Sequence, residues 1–247
     1  MSYLGCTTHD NSSNTFGYAV AKHPAGPWIK IPDPAYDFYK FHPGYEWDGR
    51  DETFIWGMGQ PSIISVDKKS KVLVFYTGNS STGQRVEMWD FADMAHPLKI
   101  YSNEVNNLGV VSLTNAQDTI CNADFVYDAY RKNFYMMCDV HPFDDTQWPT
   151  NLPLATNLYA MPANPDYENT EDFGLTLTTN RWTKLYSLDE SQTGFARNSN
   201  TGFFRDVYGW LPQENGVEIA YTGVPLGANW RILYEYRIYR KSFLINF

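Results

Sequence analysis

Three amide residues in the chain stand at the start of similar segments, each of which leads into a short hydrophobic run. They are Gln60, Asn122 and Asn200. Their side chains can hold a ligand hydroxyl through hydrogen bonds, but they cannot donate and recover a proton during catalysis. Asp124 lies two residues after Asn122 and therefore falls on the same face of a strand. Asp124 is the candidate general acid of this group; the alternative is that it caps a loop or binds a backbone amide.

A second group of acidic residues precedes Gln60 and includes Asp51 and Glu52, which lie between Trp47 and Trp56. Cleavage of a glycosidic bond requires two carboxyl groups across a pocket, about 5–9.5 Å apart, one as acid and the other as base or nucleophile. Asp51 or Glu52 would supply the second carboxyl group. The alternative is a solvated acidic loop, because runs of like charge usually face water.

Other side chains near these positions are suited to holding a ligand. Trp47 and Trp56 can stack on the apolar face of a sugar ring, although tryptophans also pack between sheets. Arg197 and Arg205 flank the third amide position and can bind carboxylate or hydroxyl groups of a ligand. Arg205 and Asp206 would equally form a structural ion pair.

The histidines, cysteines and glycines do not indicate a metal or a cofactor. None of the five histidines pairs with a cysteine or carboxylate at metal-ligand spacing. Gly57 and Gly59 precede a strand rather than a helix, so they do not form a phosphate-binding loop. Cys6, Cys121 and Cys138 are interpreted as buried apolar residues, and a Cys121–Cys138 disulfide stays open for an oxidising compartment.

Each of the three amide positions opens a repeated unit that predicts a β-hairpin. The unit passes through an apolar strand and a turn rich in Asp, Lys, Arg or Gly, then enters a strand rich in Tyr and Phe. A third strand follows in each unit, and a fourth in two of them. The predicted hairpins cover 60–78, 122–139 and 200–223, the third strands 85–90, 157–161 and 230–236, and the fourth strands 98–101 and 182–187.

Four antiparallel strands per unit are typical of a β-propeller blade. The sequence therefore predicts a single all-β domain over 1–247, built of four-stranded antiparallel blades. The predicted boundaries are a partial blade at about 1–45 and blades at 46–115, 116–190 and 191–247. The first blade is incomplete because its three predicted strands match the second, third and fourth strands of a unit. The alternative fold is a sandwich of two packed sheets.

The segment from Gly17 to Trp28 reads Gly-Tyr-Ala-Val-Ala-Lys-His-Pro-Ala-Gly-Pro-Trp. It resembles the end of the second blade in glycoside hydrolase family 43 and its five-bladed relatives, the arabinanases, arabinofuranosidases and xylosidases. The segments 60–64, 122–128 and 200–209 resemble the starts of the third, fourth and fifth blades. The resemblance implies a five-bladed-type propeller without its first blade and a glycoside hydrolase that acts on polysaccharide-derived sugars.

The chain departs from this family at the positions that carry its chemistry. The first blade supplies the family's catalytic base, and the family has acidic residues where this chain has Gln60 and Asn122. The family's fifth-blade histidine, often near a bound ion, aligns with Asn200, so no metal is expected. These departures favour the alternative of a non-catalytic carbohydrate-binding or degenerate propeller. The prevalence of hydrolases in the architecture keeps hydrolysis as the first hypothesis.

The charge of the chain limits its partners. The 19 basic and 28 acidic residues give a net charge of −9, which repels a phosphate backbone, so nucleic acid is not expected. The apolar runs are too short to cross a bilayer, so no membrane partner is expected. The expected ligand is an oligo- or polysaccharide, and the open edges of an incomplete propeller predict pairing with a second copy. Localisation stays open: secreted or periplasmic if a signal peptide lies upstream, otherwise cytoplasmic.

Overall fold

The computed structural model of the protein describes residues 2–5, 15–23, 25–31, 59–77, 84–93, 97–104, 123–140, 155–163, 182–212, 216–225 and 237–244. Within these ranges the chain is nearly all strand, and its helix, α1 (Glu190–Thr193), is a single turn. The prediction of an all-β chain with four-stranded antiparallel sheets is confirmed. No helix in the described part of the chain is long and apolar enough to cross a membrane.

The described strands form four antiparallel sheets, and the strands of each sheet lie in chain order. The first sheet contains β1 (Ser2–Gly5), β2 (Thr15–Val20) and β3 (Ile29–Ile31). The second contains β4 (Gly59–Ser65), β5 (Lys71–Thr77), β6 (Gln84–Asp90) and β7 (Leu98–Glu104). The third contains β8 (Asp124–Asp128), β9 (Asn133–Val140), β10 (Ala155–Pro162) and β11 (Thr183–Leu188). The fourth contains β12 (Arg197–Phe203), β13 (Gly216–Val224) and β14 (Ile238–Leu244).

The third sheet is buried on both faces, which explains the nearly continuous apolar run of β8. Phe125 faces the second sheet, where its ring stacks on Phe75 with the ring centroids 4.1 Å apart. Val126, the next residue, lies in a separate cluster with Phe203 and Ile219 of the fourth sheet. Two apolar cores therefore hold the second, third and fourth sheets together in chain order.

An aspartate follows or ends the first strand of each predicted hairpin and fixes the turn. In each case its Oδ1 accepts the backbone N–H group of the residue two positions further on, at 2.8–2.9 Å. Such side-chain-to-backbone bonds favour a tight turn over continuation of the strand. Each turn also contains one residue with a left-handed backbone. The aspartates are Asp67, Asp128 and Asp206, and the left-handed residues are Lys68 (φ 56°), Lys132 (φ 53°) and Gly209 (φ 78°).

Asp128 differs from the other two turn aspartates because it is fully buried. Its Oδ2 accepts a charged hydrogen bond from Arg131 Nη1 at 3.1 Å and a bond from the Tyr135 hydroxyl at 3.3 Å. Burial raises the pKa of Tyr135 to about 12, so the hydroxyl stays protonated and remains a donor. The buried carboxylate is thus paired, as a charge in an apolar core must be.

The fourth sheet differs from the prediction in two places. The third strand predicted at 230–236 lies outside the described residues, and β14 pairs with β13 along its whole length, from Thr222 opposite Ile238 to Gly216 opposite Leu244. Strand β14 therefore holds the place of the third strand. The inner strand β12 begins at Arg197, three residues before the predicted start.

The first strands of the second, third and fourth sheets lie side by side, β4 against β8 and β8 against β12. After β12 the segment 204–211 crosses the ends of the other two strands. Ser65 donates its N–H to Tyr208 O at 2.7 Å, and Tyr127 donates to Gly209 O at 3.2 Å. Leu211 in turn donates to Tyr127 O at 2.8 Å, so this segment ties the turn ends of all three strands together.

Substitution of Gly209 tests how tightly segment 204–211 is seated. An alanine Cβ at this position would clash with the carbonyl oxygen of Ile63, and the backbone is left-handed (φ 78°). We expect Gly209→Ala to lower the free energy of unfolding by about 2–4 kcal/mol, the sum of backbone strain and overpacking. Urea denaturation followed by tryptophan fluorescence measures the change.

Gly194, which follows α1, provides the matched control. Its φ of 75° is nearly the same, but an added Cβ would meet nothing within 4 Å. Gly194→Ala should therefore cost only the left-handed backbone, roughly 1 kcal/mol. Equal losses in the two variants would contradict the close seating of segment 204–211.

Candidate functional site

The residues two positions after the start of each predicted inner strand lie close together in space. Counted from the amide positions, these residues are Ser62, Asp124 and Gly202. The Ser62 hydroxyl donates a hydrogen bond to Asp124 Oδ1. A Cβ added to Gly202 would lie 3.6 Å from Asp124 Oδ2. Equivalent positions of three sequence repeats thus converge on one carboxylate, which joins the second, third and fourth sheets.

Asp124 is the centre of this junction, and both of its carboxylate oxygens are occupied. Oδ2 accepts the backbone N–H of Phe203 at 2.8 Å, and Oδ1 lies 3.0 Å from Arg205 Nη2. Arg205 also donates through Nη1 to the carbonyl oxygen of Phe125 at 2.9 Å. Phe125 N–H donates to the Ser62 hydroxyl at 3.2 Å, which closes the network. These bonds are those of the structural alternative for Asp124, in which it binds a backbone amide; its catalytic role stays a prediction.

Strands β4 and β12 each contain a β-bulge at the equivalent position of the repeat. In β4 the register passes from Gly59 opposite Thr77 to Ser62 opposite Phe75, so one extra residue lies in β4. In β12 it passes in the same way from Ser199 opposite Thr222 to Gly202 opposite Ala220. Such a bulge redirects the side chains of the extra residues. The residues in the two bulges are Gln60 with Pro61 and Asn200 with Thr201.

Asn200 is the amide position whose side chain the structure describes, and it is exposed. Its φ of 51° is left-handed, a conformation that asparagine tolerates better than most residues. Its backbone N–H donates to Asp139 Oδ2 at 3.3 Å. Asp139 of the third sheet therefore fixes the backbone of β12 at Asn200, while the amide side chain faces solvent.

Asp139 is a buried carboxylate of β9 that lies beside the start of β8. The sequence analysis did not select it as a site residue. Its Oδ1 accepts the Thr156 hydroxyl at 2.8 Å, and this hydroxyl also lies 3.3 Å from Asn198 O. Asp139 occupies the place that Gly78 and Gly223 hold in the other two hairpins. The sequence signal for Asp139 was an acidic residue at a position where the other two repeats have glycine.

The remaining predicted site residues are placed as follows. Asp51, Glu52, Trp47, Trp56 and Asn122 lie outside the described residues, and Gln60 is described only by its backbone in β4. Arg197 begins β12, is half-buried, and its Nη1 lies 3.5 Å from Ala196 O. The ion pair of Arg205 is with Asp124, whereas Asp206 accepts the backbone N–H groups of Tyr208 and Trp210. The roles of these residues toward a ligand stay predictions.

The described residues contain no group of three or more His, Cys, Asp or Glu side chains that could hold a metal ion. Cys138 is buried in the core between the second and third sheets, and its thiol lies 3.5 Å from Asp139 O. Cys6 and Cys121 lie outside the described ranges.

Comparisons with known proteins assign no family. No protein-family model matches the chain. A search of the curated proteins finds no match either. The chemistry of the site is therefore inferred from its own residues.

Replacing Asp124 by asparagine separates a structural role from a catalytic one. Asparagine keeps one acceptor oxygen but loses the charge that pairs with Arg205 and one of the two acceptor positions. Removing one member of a largely buried pair leaves the other unpaired, so we expect the free energy of unfolding to fall by about 2–4 kcal/mol. Urea denaturation at neutral pH measures it.

Asp67→Asn makes the same chemical change at an exposed turn whose N–H bonds asparagine also accepts. We expect a change within about 0.5 kcal/mol for this control. If Asp124→Asn were as stable as Asp67→Asn, the junction would not contribute to stability as described.

Proposed function

We propose that the four sheets are blades of a five-bladed-type β-propeller that binds carbohydrate at the end where the inner strands begin. Three observations support this arrangement: the sheets follow chain order, their inner strands lie side by side, and equivalent positions of three repeats meet at Asp124. Each amide position lies two residues before a member of this junction. In this proposed arrangement, Gln60, Asn122 and Asn200 lie at a shared end of the molecule.

Amide side chains suit the recognition of sugars. Each amide offers one acceptor oxygen and two N–H donors, so one side chain can bond two neighbouring hydroxyl groups in a defined orientation. Asn200 is presented to solvent on a backbone that Asp139 holds in place. A side chain on a fixed backbone loses less conformational freedom on binding, which favours affinity.

The hydrogen bonds to both carboxylate oxygens of Asp124 favour binding without cleavage. This single observation is the basis for preferring binding to hydrolysis. A general acid must present its proton to the glycosidic oxygen. The oxygens of Asp124 instead accept bonds from Ser62, Phe203 and Arg205, so both are already engaged within the protein. Hydrolysis, with Asp51 or Glu52 as a catalytic carboxyl group, is the second candidate, and the resemblance at 17–28 supports it.

The sugar-binding proposal is tested with neutral arabino-, xylo- and galacto-oligosaccharides by isothermal titration calorimetry. Asn200→Gly removes the amide side chain and suits the left-handed backbone. Losing one or two hydrogen bonds should weaken binding roughly fivefold or more. The predicted result is binding of at least one of these sugars by the parent chain and a clearly weaker affinity for Asn200→Gly.

Lys132→Gly is the matched control, because it makes the same change at a left-handed residue in the turn at the opposite end of the third sheet. Its affinity should equal that of the parent chain. An equal loss in both variants, or no binding of any of the sugars, would refute the proposed site.

Aryl arabinofuranosides, xylosides and galactosides decide between the two candidates. The binding proposal predicts no release of the aryl group. Turnover that disappears in Asp51→Asn or Glu52→Gln would establish hydrolysis instead. Pairing with a second copy remains a further proposal, which light scattering of the same sample checks.

A further inference from the structure

The opposite end of the inner strands carries a second surface, made by the turns after β4 and β8 and by segment 204–211. We call it the turn surface. Its exposed side chains include Asp67 besides Lys68, Lys69, Tyr130, Lys132, Val207 and Tyr208. All three repeats contribute to it, and none of these residues belongs to the candidate sugar site.

The parts of the turn surface are joined by direct contacts. Lys68 Nζ lies 3.8 Å from the ring centroid of Trp210 and 5.2 Å from that of Tyr208. The Trp210 ring packs edge-on against Tyr127, with the centroids 5.3 Å apart, and Tyr127 directly precedes the turn that carries Tyr130 and Lys132. Hydrogen bonds from Ser65 and Tyr127 to segment 204–211 fix its position. The surface is thus preorganised.

The charge of the turn surface contrasts with that of the whole chain, which carries a net charge of −9. Three exposed lysines lie on it. The nearby carboxylates already accept hydrogen bonds: Asp67 and Asp206 from backbone N–H groups, and Asp128 also from Arg131. Among the exposed side chains of this surface, the three lysines outnumber the one carboxylate, Asp67.

Two exposed tyrosine rings lie among these cations. Tyr130 is 58% exposed and Tyr208 is 38% exposed, so both rings are accessible to a ligand. Aromatic rings bind the apolar C–H face of a pyranose, and ammonium groups bind carboxylates. A saccharide chain that bears carboxylates offers both features in alternation.

We propose that the turn surface is a second binding site, specific for acidic oligosaccharides that carry uronic acid residues. It goes beyond the proposed function by adding a site of different charge preference at the other end of the molecule. The two sites fail separately, because the first is probed with neutral sugars and Asn200→Gly, and the second with an acidic sugar and lysine variants.

The probe is an oligogalacturonate, and its fully methyl-esterified form is the neutral counterpart of the same length. Calorimetry at low and at physiological ionic strength should show binding of the acid form that weakens with salt, since exposed charges are screened. The methyl ester should bind clearly more weakly. Equal binding of the two forms would overturn the proposal.

Lys68→Gln/Lys132→Gln removes two of the cations. Loss of two exposed ion pairs should weaken binding of the oligogalacturonate roughly fivefold. Tyr208→Ala, which removes an exposed ring, should weaken it independently of salt. Urea denaturation confirms that each variant remains folded.

Lys22→Gln/Lys184→Gln makes the same change of net charge on the first sheet and on β11, and both lysines are exposed. This control should bind as the parent chain does. Equal weakening in both double variants would show attraction by net charge alone and overturn the site. Equal or tighter binding of polyglutamate, or of phosphatidylglycerol vesicles, would also overturn it in favour of a peptide or a membrane.

Discussion

The Asp124 carboxylate joins three sheets whose described strands form ladders only within their own sheet. Each sheet is an antiparallel meander whose apolar faces must be covered by its neighbours. The carboxylate receives the Ser62 hydroxyl from the second sheet, and the Phe203 N–H and the Arg205 guanidinium from the fourth sheet and the segment after it. A largely buried charge is costly unless all of its partners are present, so the junction enforces one relative placement of the sheets. The backbone positions of Gln60 and Asn200 depend on this junction.

The two ends of the inner strands are held by different forces. At the start of the strands, polar groups of the third sheet bond to the fourth, as Asp139 does with the Asn200 N–H and the Thr156 hydroxyl does with Asn198 O. At the turns, segment 204–211 adds main-chain bonds and the packing of Trp210 against Tyr127. The apolar cores on either side of β8 fill the space between. The exposed amide of Asn200 lies at one end and exposed lysines and tyrosines lie at the other, and this difference is the basis of the two proposed ligands.

The sequence predicted the hairpins well because their signals are local. Alternating apolar residues and a turn aspartate at Asp67, Asp128 and Asp206 fix each inner hairpin within about a dozen residues. The equivalence of Gln60 and Asn200 was also readable, since it follows from alignment of the repeats. The third strand of the last sheet was misplaced because the aromatic run at 230–236 is a stronger strand signal than β14, whose side chains are mostly exposed. The role of Asp139 and the ion pair between Asp124 and Arg205 depend on contacts between sheets, which no local sequence pattern specifies.

The coupling between Ser62 and Arg205 tests the junction most directly, because Ser62 lies in the second sheet, Arg205 follows the fourth, and both bond to Asp124 and Phe125 of the third. A double-mutant cycle with Ser62→Ala and Arg205→Gln, followed by urea denaturation, measures it. The junction predicts a coupling free energy of about 1 kcal/mol or more, as for residues in one hydrogen-bonded network. Effects that add to within about 0.3–0.5 kcal/mol, as for distant sites, would contradict the junction and with it the proposed common end of the amide residues.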